Sequence, residues 1–267
     1  MKLTRVVVAR PGGNDTALVF DDVHADSYRD INAYIQKKNP DIEQVMFVKN
    51  DQAMPMGIMA GGEFCGNATR SLGYYLLKGN DGAITLSISG AKTPLTVKVQ
   101  DKNATTKMPI ISNPTSVKFL DDTSSLVKLE GITHLVLEPL SELAQQMKRL
   151  KSMDDKKAFA RELLIKHDLQ HEAAGGIMAL DKDDDKLMLA PFVYVKSIDT
   201  FYAETACGSG SVAVGLALAK RRTKSVTHLE VRQPSGHSIF VDVNFAGGFF
   251  EEATIKGKVE ILYEGEF

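Results

Sequence analysis

The stretch EFCGNATRSLGYYLLKG, residues 63–79, is answered roughly 140 residues later by ETACGSGSVAVGLALAKRR, residues 204–222. Each places a Cys-Gly pair where a helix begins, follows it with small or polar residues and then with apolar residues at helical spacing. Strand-like segments lead into each copy and follow it. The separation is too long for a short tandem repeat and fits a duplicated domain. The expectation is two similar domains, each with strands and helices and facing each other. Residues 1–115 carry Cys65 and residues 116–257 carry Cys207, with the last strand, near 258–267, returning to the first domain. Two such domains facing each other make a cleft, a common place for a small-molecule site.

The first domain opens with LTRVVVAR and ALVFDD as strands around the turn PGGND, where Gly12 and Gly13 permit positive φ. SYRDINAYIQKK reads as a helix, EQVMFVK and MGIMAGG as strands, and NATRSLGYYLLKG as the helix after Cys65, with Gly79 as its C-cap. AITLSISG and LTVKVQ follow as strands. In the second domain THLVLEPL is a strand, two amphipathic helices occupy residues 139–170, and GGIMAL and LMLAPFVYV are strands separated by the charge run DKDDDK. SGSVAVGLALAKRR is the helix after Cys207. LEVRQP and HSIFVDVN form a hairpin through PSG, and ATIKGKVEILYEGEF is the closing strand.

With 43% hydrophobic and 25% charged residues and a formal charge of -2, the chain offers no global pull toward nucleic acid or an anionic membrane. The apolar run at the N-terminus is too short for a signal peptide, and no stretch is long enough to span a bilayer. A cytoplasmic protein is expected, with a homodimer as the default assembly. Two cysteines make no disulfide scaffold, and a reducing compartment keeps both as thiols.

A thiol at a helix N-terminus meets N–H groups that lack acceptors inside the helix, and the positive end of the helix dipole. Its pKa falls toward neutrality and the thiolate becomes a usable base. The small or polar residues that follow, Gly66, Asn67, Ala68 and Thr69 in one copy and Gly208, Ser209, Gly210 and Ser211 in the other, suit close approach of a ligand to bare backbone. If both helices point at one carboxylate, one thiolate removes the neighbouring α-proton while the other thiol protonates the opposite face. Backbone amides stabilise the enediolate between. Such chemistry needs no cofactor and no metal.

GGNDTALVF, FCGNATRS and ETACGSGSVAVG resemble the opening Gly-Asn-Asp segment and the two cysteine motifs of the diaminopimelate epimerases, in order and at the matching separation. The segments RQPSGHSIFV and IKGKVEILYEGE extend the likeness over nearly the whole chain. The resemblance implies an α/β (α+β) fold of two pseudo-symmetric domains, each a sheet wrapped around a central helix, with the active site in the cleft between them. It implies a racemase or epimerase independent of pyridoxal phosphate, with Cys65 and Cys207 as the acid and base pair. It also implies a carboxylate cradle of Gly66, Asn67, Gly208, Ser209 and Gly210.

Two departures put a diaminopimelate substrate in doubt. The family's Gly-Asn-Pro-His segment reads Gly131-Ile132-Thr133-His134 here, and the arginine that precedes the second cysteine is missing from SIDTFYAETAC. EFCGNAT, CGSG and EQV are closer to the histidine racemases related to this family, where a glutamate occupies the position of Glu43. A carboxylate there accepts from an imidazole N–H. Glu43 is thus the expected side-chain contact, with Asn14 and Glu204 as secondary candidates.

Other readings remain. A diaminopimelate epimerase, a racemase of another amino acid, or a binding protein that keeps the fold without catalysis are the alternatives. Asn14 also suits a turn, Glu204 suits the start of a helix electrostatically, and His134, beside the site in the family, also reads as a structural histidine. Gly208-Ser209-Gly210 with Ala213 and Glu230 mimics a dinucleotide fingerprint, but TFYAETAC is too polar for its buried first strand. DKDDDK lacks the glycine and closing glutamate of a calcium loop and reads as a solvated turn.

Overall fold

A computed structural model describes residues 2–50, 53–184 and 186–267. By its internal contacts the chain divides into one unit of residues 1–107 with 256–267 and another of residues 108–255.

The first unit contains β1 (Val6–Pro11), β2 (Asp15–Val19), α1 (Tyr28–Lys38), β3 (Ile42–Lys49), β4 (Met56–Met59), α2 (Gly66–Leu76), β5 (Gly82–Ile88), β6 (Leu95–Gln100) and β7 (Asn103–Lys107). The second contains β8 (Val117–Phe119), β9 (Ser124–Leu129), β10 (Ile132–Leu137), α3 (Glu142–Arg149), α4 (Met153–Lys166), β11 (Ala174–Asp183), β12 (Lys186–Val195), β13 (Thr200–Ala203), α5 (Gly208–Arg222), β14 (Val226–Arg232) and β15 (Ser238–Ala246). The final strand, β16 (Phe249–Gly265), starts in the second unit and ends in the first.

In the first unit the strands run β1 to β7 in order, and β16 pairs with both β7 and β1, which closes the sheet into a barrel. Closure leaves no exposed edge. The helix α2 packs against β1, β2, β3, β5, β6 and β7. Its residues Gly66 to Gly73 are all buried, as expected of a helix surrounded on every side. Gly73 makes this possible, because a Cβ there would lie 2.5 Å from Val97 Cβ on β6.

The second unit arranges β16, β15, β14, β12, β11, β10, β9 and β8 in one sheet, with β13 paired to β12. The helix α5 packs against β8, β9, β10, β11, β14 and β15, and α3 and α4 pack against β11. Small residues on α5, among them Ala213, Gly215, Ala217 and Ala219, let strands approach it closely.

The hairpins at PGGND and PSG form with Gly12, Gly13 and Gly236 at positive φ. Arg10 braces the first, donating to the Asp15 carboxylate at 2.6 and 2.7 Å. The strands β7, β8, β9 and β13 were not expected from the sequence. The charge run DKDDDK is also less of a turn than it reads: Asp181–Asp183 continue β11 and Lys186 opens β12. Backbone pairing between these antiparallel strands outweighs the weak strand preference of aspartate. Asp185 lies outside the described residues.

Candidate active site

In each unit the cysteine is the N-cap of the central helix. Cys65 has φ -133° and ψ 113°, and Cys207 has φ -123° and ψ 108°. The Ala68 N–H donates to Cys65 Sγ at 3.4 Å, and the Gly210 N–H donates to Cys207 Sγ at 3.3 Å. Four residues after each cysteine a hydroxyl donates back to its carbonyl: Thr69 Oγ1 to Cys65 O and Ser211 Oγ to Cys207 O, both at 2.7 Å. The two thiols therefore stand in one local geometry, in which sulfur serves as a helix cap.

Around Cys65 the first unit adds polar neighbours from β3. In the register between β2 and β3, Asp15 faces Ile42 and Thr16 faces Gln44, so Glu43 is the extra residue of a bulge. A bulge re-aims side chains that would otherwise alternate. The fully buried Asn14 donates through Nδ2 to Glu43 Oε2 at 2.7 Å, and Gln36 Nε2 donates to the Glu43 backbone carbonyl at 3.0 Å. The next residue, Gln44, accepts a hydrogen bond from the Cys65 thiol. Asn67, buried in the first turn of α2, accepts from Arg70 Nη2 at 2.8 Å.

Cys207 sits in a different electrostatic setting. Burial pushes its thiol well above the usual range, and the neighbouring Glu204 carboxylate, itself buried, pushes it further. Ser209 Oγ lies 3.6 Å from the sulfur and 3.0 Å from His134 Nε2. His134 is fully buried, and desolvation lowers its pKa to about 3, so its imidazole is neutral near neutral pH. From the end of β14, Gln233 accepts from the Cys207 backbone N–H at 2.9 Å and donates through Nε2 to Ser211 Oγ at 3.0 Å and Val231 O at 2.9 Å. The cap residue is thus held from both sides. A Cβ on Gly210 would lie 2.1 Å from Met178 Sδ and 3.1 Å from Cys207 Sγ, so a side chain there would displace the methionine and crowd the sulfur.

The structure accordingly brings Asn14 to Glu43 in the first unit, and gathers Glu204, Cys207, Ser209 and His134 in the second. Among the described residues, no group of three or more His, Cys, Asp or Glu side chains is placed to hold a metal ion. No described helix is long and apolar enough to cross a membrane.

The family described as the histidine racemase CntK N-terminal domain matches residues 5–267. The chain belongs to that family. A histidine racemase of Fusobacterium nucleatum subsp. nucleatum is 29% identical over 276 residues, covering 96% of this chain and 94% of its own. A histidine racemase of Staphylococcus aureus is 26% identical over 269 residues, covering 96% and 94%. Among solved structures, a hydroxyproline epimerase from Agrobacterium vitis with bound trans-4-hydroxy-L-proline superposes with a TM-score of 0.65 at 12% identity, covering 98% of this chain and 92% of that one. At that identity the likeness is one of fold.

Within this histidine racemase family member, three polar residues around the cysteines escaped the sequence reading: Gln44, Arg70 and Gln233. The shared spacing Cys-x3-Thr/Ser was a usable signal for the caps. Gln44 adjoins Glu43, and Arg70 lies inside the cysteine motif. Nothing in RQPSGH, however, tells that its glutamine turns inward to the Cys207 N–H.

Proposed function

We propose that this protein is an isomerase that interconverts the enantiomers of histidine without a cofactor, using Cys65 and Cys207 as a two-base thiol pair. The observation that carries the reading is the repeated cap: a cysteine whose sulfur receives the N–H three residues on and whose carbonyl receives the hydroxyl four residues on. The same reading treats the two units as pseudo-symmetric copies of a diaminopimelate epimerase-like fold. It puts the protein in the cytoplasm, where reducing conditions keep both sulfurs available for proton transfer.

In the forward step one thiolate takes the α-proton, and the electrons of the broken C–H bond move into the carboxylate as an enediolate. N–H groups at the helix starts, around Gly66, Asn67, Gly208, Ser209 and Gly210, stabilise that charge. The opposing thiol then gives its proton to the other face of the α-carbon. The atoms of the substrate are conserved, and the thiol and thiolate have exchanged roles. Glu43, steadied by Asn14, supplies the acceptor for the imidazole N–H. Glu204 and the Ser209–His134 pair surround the proton carried by Cys207.

Proton NMR in deuterated water, with chiral analysis and no added cofactor, tests this directly. Loss of the histidine α-proton signal with appearance of the other enantiomer is expected, and neither Cys65→Ser nor Cys207→Ser should complete racemisation. Full racemisation by either variant defeats the two-base mechanism. Exchange with diaminopimelate but not histidine returns the parent activity, and tight histidine binding without exchange points to a binding protein. Glu43→Gln should raise the KM for histidine about tenfold, the loss expected of one charge-assisted hydrogen bond. An unchanged KM removes Glu43 from the side-chain pocket.

A further inference from the structure

The two cysteine caps are alike in backbone and unlike in charge. Five residues after Cys65 stands Arg70; five residues after Cys207 stands Val212. Arg70 is fully buried, and its side chain runs back toward the start of α2, where Nη2 donates to Asn67 Oδ1 at 2.8 Å and to Pro11 O at 3.4 Å. Its Nε and Nη1 have no hydrogen-bond partner, and among the described residues no carboxylate pairs with it. A buried guanidinium without a counter-ion is costly, and its pKa falls to about 10, which still leaves it charged near neutral pH. Burial works against this charge, and the nearby Cys65 sulfur favours it.

The other titratable groups on the elements around α2 are paired elsewhere, exposed, or pushed toward a neutral form. Arg10 on β1 and Asp15 on β2 pair with each other, and Lys49 on β3 pairs with Asp22. Lys98 on β6 and Lys107 on β7 are exposed. Glu43 on β3 is bonded to Asn14, and burial pushes the Glu63 carboxyl, in the loop before Cys65, up toward its neutral form. Tyr75 on α2 donates to Glu264. In the second unit the groups around α5 act oppositely: Glu204 disfavours a negative Cys207, and His134 is neutral.

We propose that Arg70 is the fixed counter-charge that makes Cys65 the thiolate, and Cys207 the thiol, of the resting protein. Arg70 is then a positioning residue twice over, holding Asn67 through a hydrogen bond and Cys65 through its charge. Gln44 accommodates either form of Cys65, since its carboxamide accepts from a thiol and, turned over, donates to a thiolate. The proposal rests on the two-thiol reading for its kinetic meaning: before substrate binds, the protein is charged for the enantiomer whose α-hydrogen faces Cys65. After one turnover the charges lie the other way round, and a proton must return from Cys65 to solvent and from solvent to Cys207.

The test is the pH dependence of alkylation by iodoacetamide, read at each cysteine by peptide mass spectrometry on the full chain without substrate. The midpoint for Cys65 should lie below that for Cys207 by about two pH units or more. Arg70→Met should move the Cys65 midpoint up by about one unit or more and slow its labelling near neutrality about tenfold, while Arg70→Lys keeps it near the wild-type value. A Cys207 midpoint at or below that of Cys65 overturns the assignment. An Arg70→Met profile identical to wild type, or an Arg70→Lys profile raised in the same way as Arg70→Met, overturns the role of Arg70. If circular dichroism shows that Arg70→Met does not fold, Arg70→Gln, which keeps a donor for Asn67 but carries no charge, takes its place: a Cys65 midpoint raised by about one unit supports the role of Arg70, and an unchanged one overturns it. Racemisation retained by Cys65→Ser would defeat the two-thiol reading but leave the midpoints as they are, so the two failures are distinct.

Discussion

Acid should find His134 before it finds the rest of the fold. The imidazole is fully buried, its Nδ1 has no hydrogen-bond partner, and its pKa in the folded protein is about 3. In the unfolded chain a histidine titrates near 6.5. Because the folded pKa is the lower one, the unfolded state binds more protons between the two values, and stability falls as pH drops from about 6.5 toward 3. The slope for one proton is about 1.4 kcal/mol per pH unit, so the loss attributable to His134 between about pH 7.5 and pH 5 is about 2 kcal/mol. His134→Gln keeps a polar neighbour for Ser209 and cannot titrate. Urea unfolding of both proteins at the two pH values cancels the contribution of every other group. Wild type should lose about 2 kcal/mol more than the variant on acidification. Equal losses would mean that His134 takes up a proton in the folded state as easily as in the unfolded one, which would refute its enclosure beside Ser209.

Gly73→Ala forces a methyl group to within 2.5 Å of Val97 Cβ inside the barrel. Denaturant unfolding should show a loss of about 1–3 kcal/mol, and a change below about 0.5 kcal/mol would show that α2 does not touch β6 so closely. Gln233→Leu strands the Cys207 N–H and the Val231 carbonyl without their side-chain partner. The cost should be about 1–3 kcal/mol in urea unfolding, and no loss would show that the glutamine does not hold the cap.

The sequence made the caps legible because their signal is local. Cysteine, glycine and a run of small residues are adjacent in the chain, and both helices begin where that pattern places them. The strand β7 was illegible for the opposite reason. NATTK carries no apolar alternation, and it is a strand because β6 and β16 lie on either side of it. Glu43 was legible as a carboxylate before a strand, but its aim depends on a bulge defined by the register against β2. Gln233 lies 26 positions along the chain from Cys207 and depends on the chain between them returning to the start of α5. Chemistry written within a helical turn was readable, whereas chemistry assembled by long-range pairing was not.

The division of β16 between the units also sets an order of events during synthesis. The barrel around α2 is begun by strands that precede the second unit in the chain, yet its closing stave lies within residues 256–267, which follow that unit. Residues 108–255 form one uninterrupted segment and are complete before that stave emerges. Until then β1 and β7 present unpaired edges, and the hydrophobic surroundings of Cys65 stay open to solvent and to stray strands. The unit whose chain starts ahead of its neighbour is therefore the one that is completed after it.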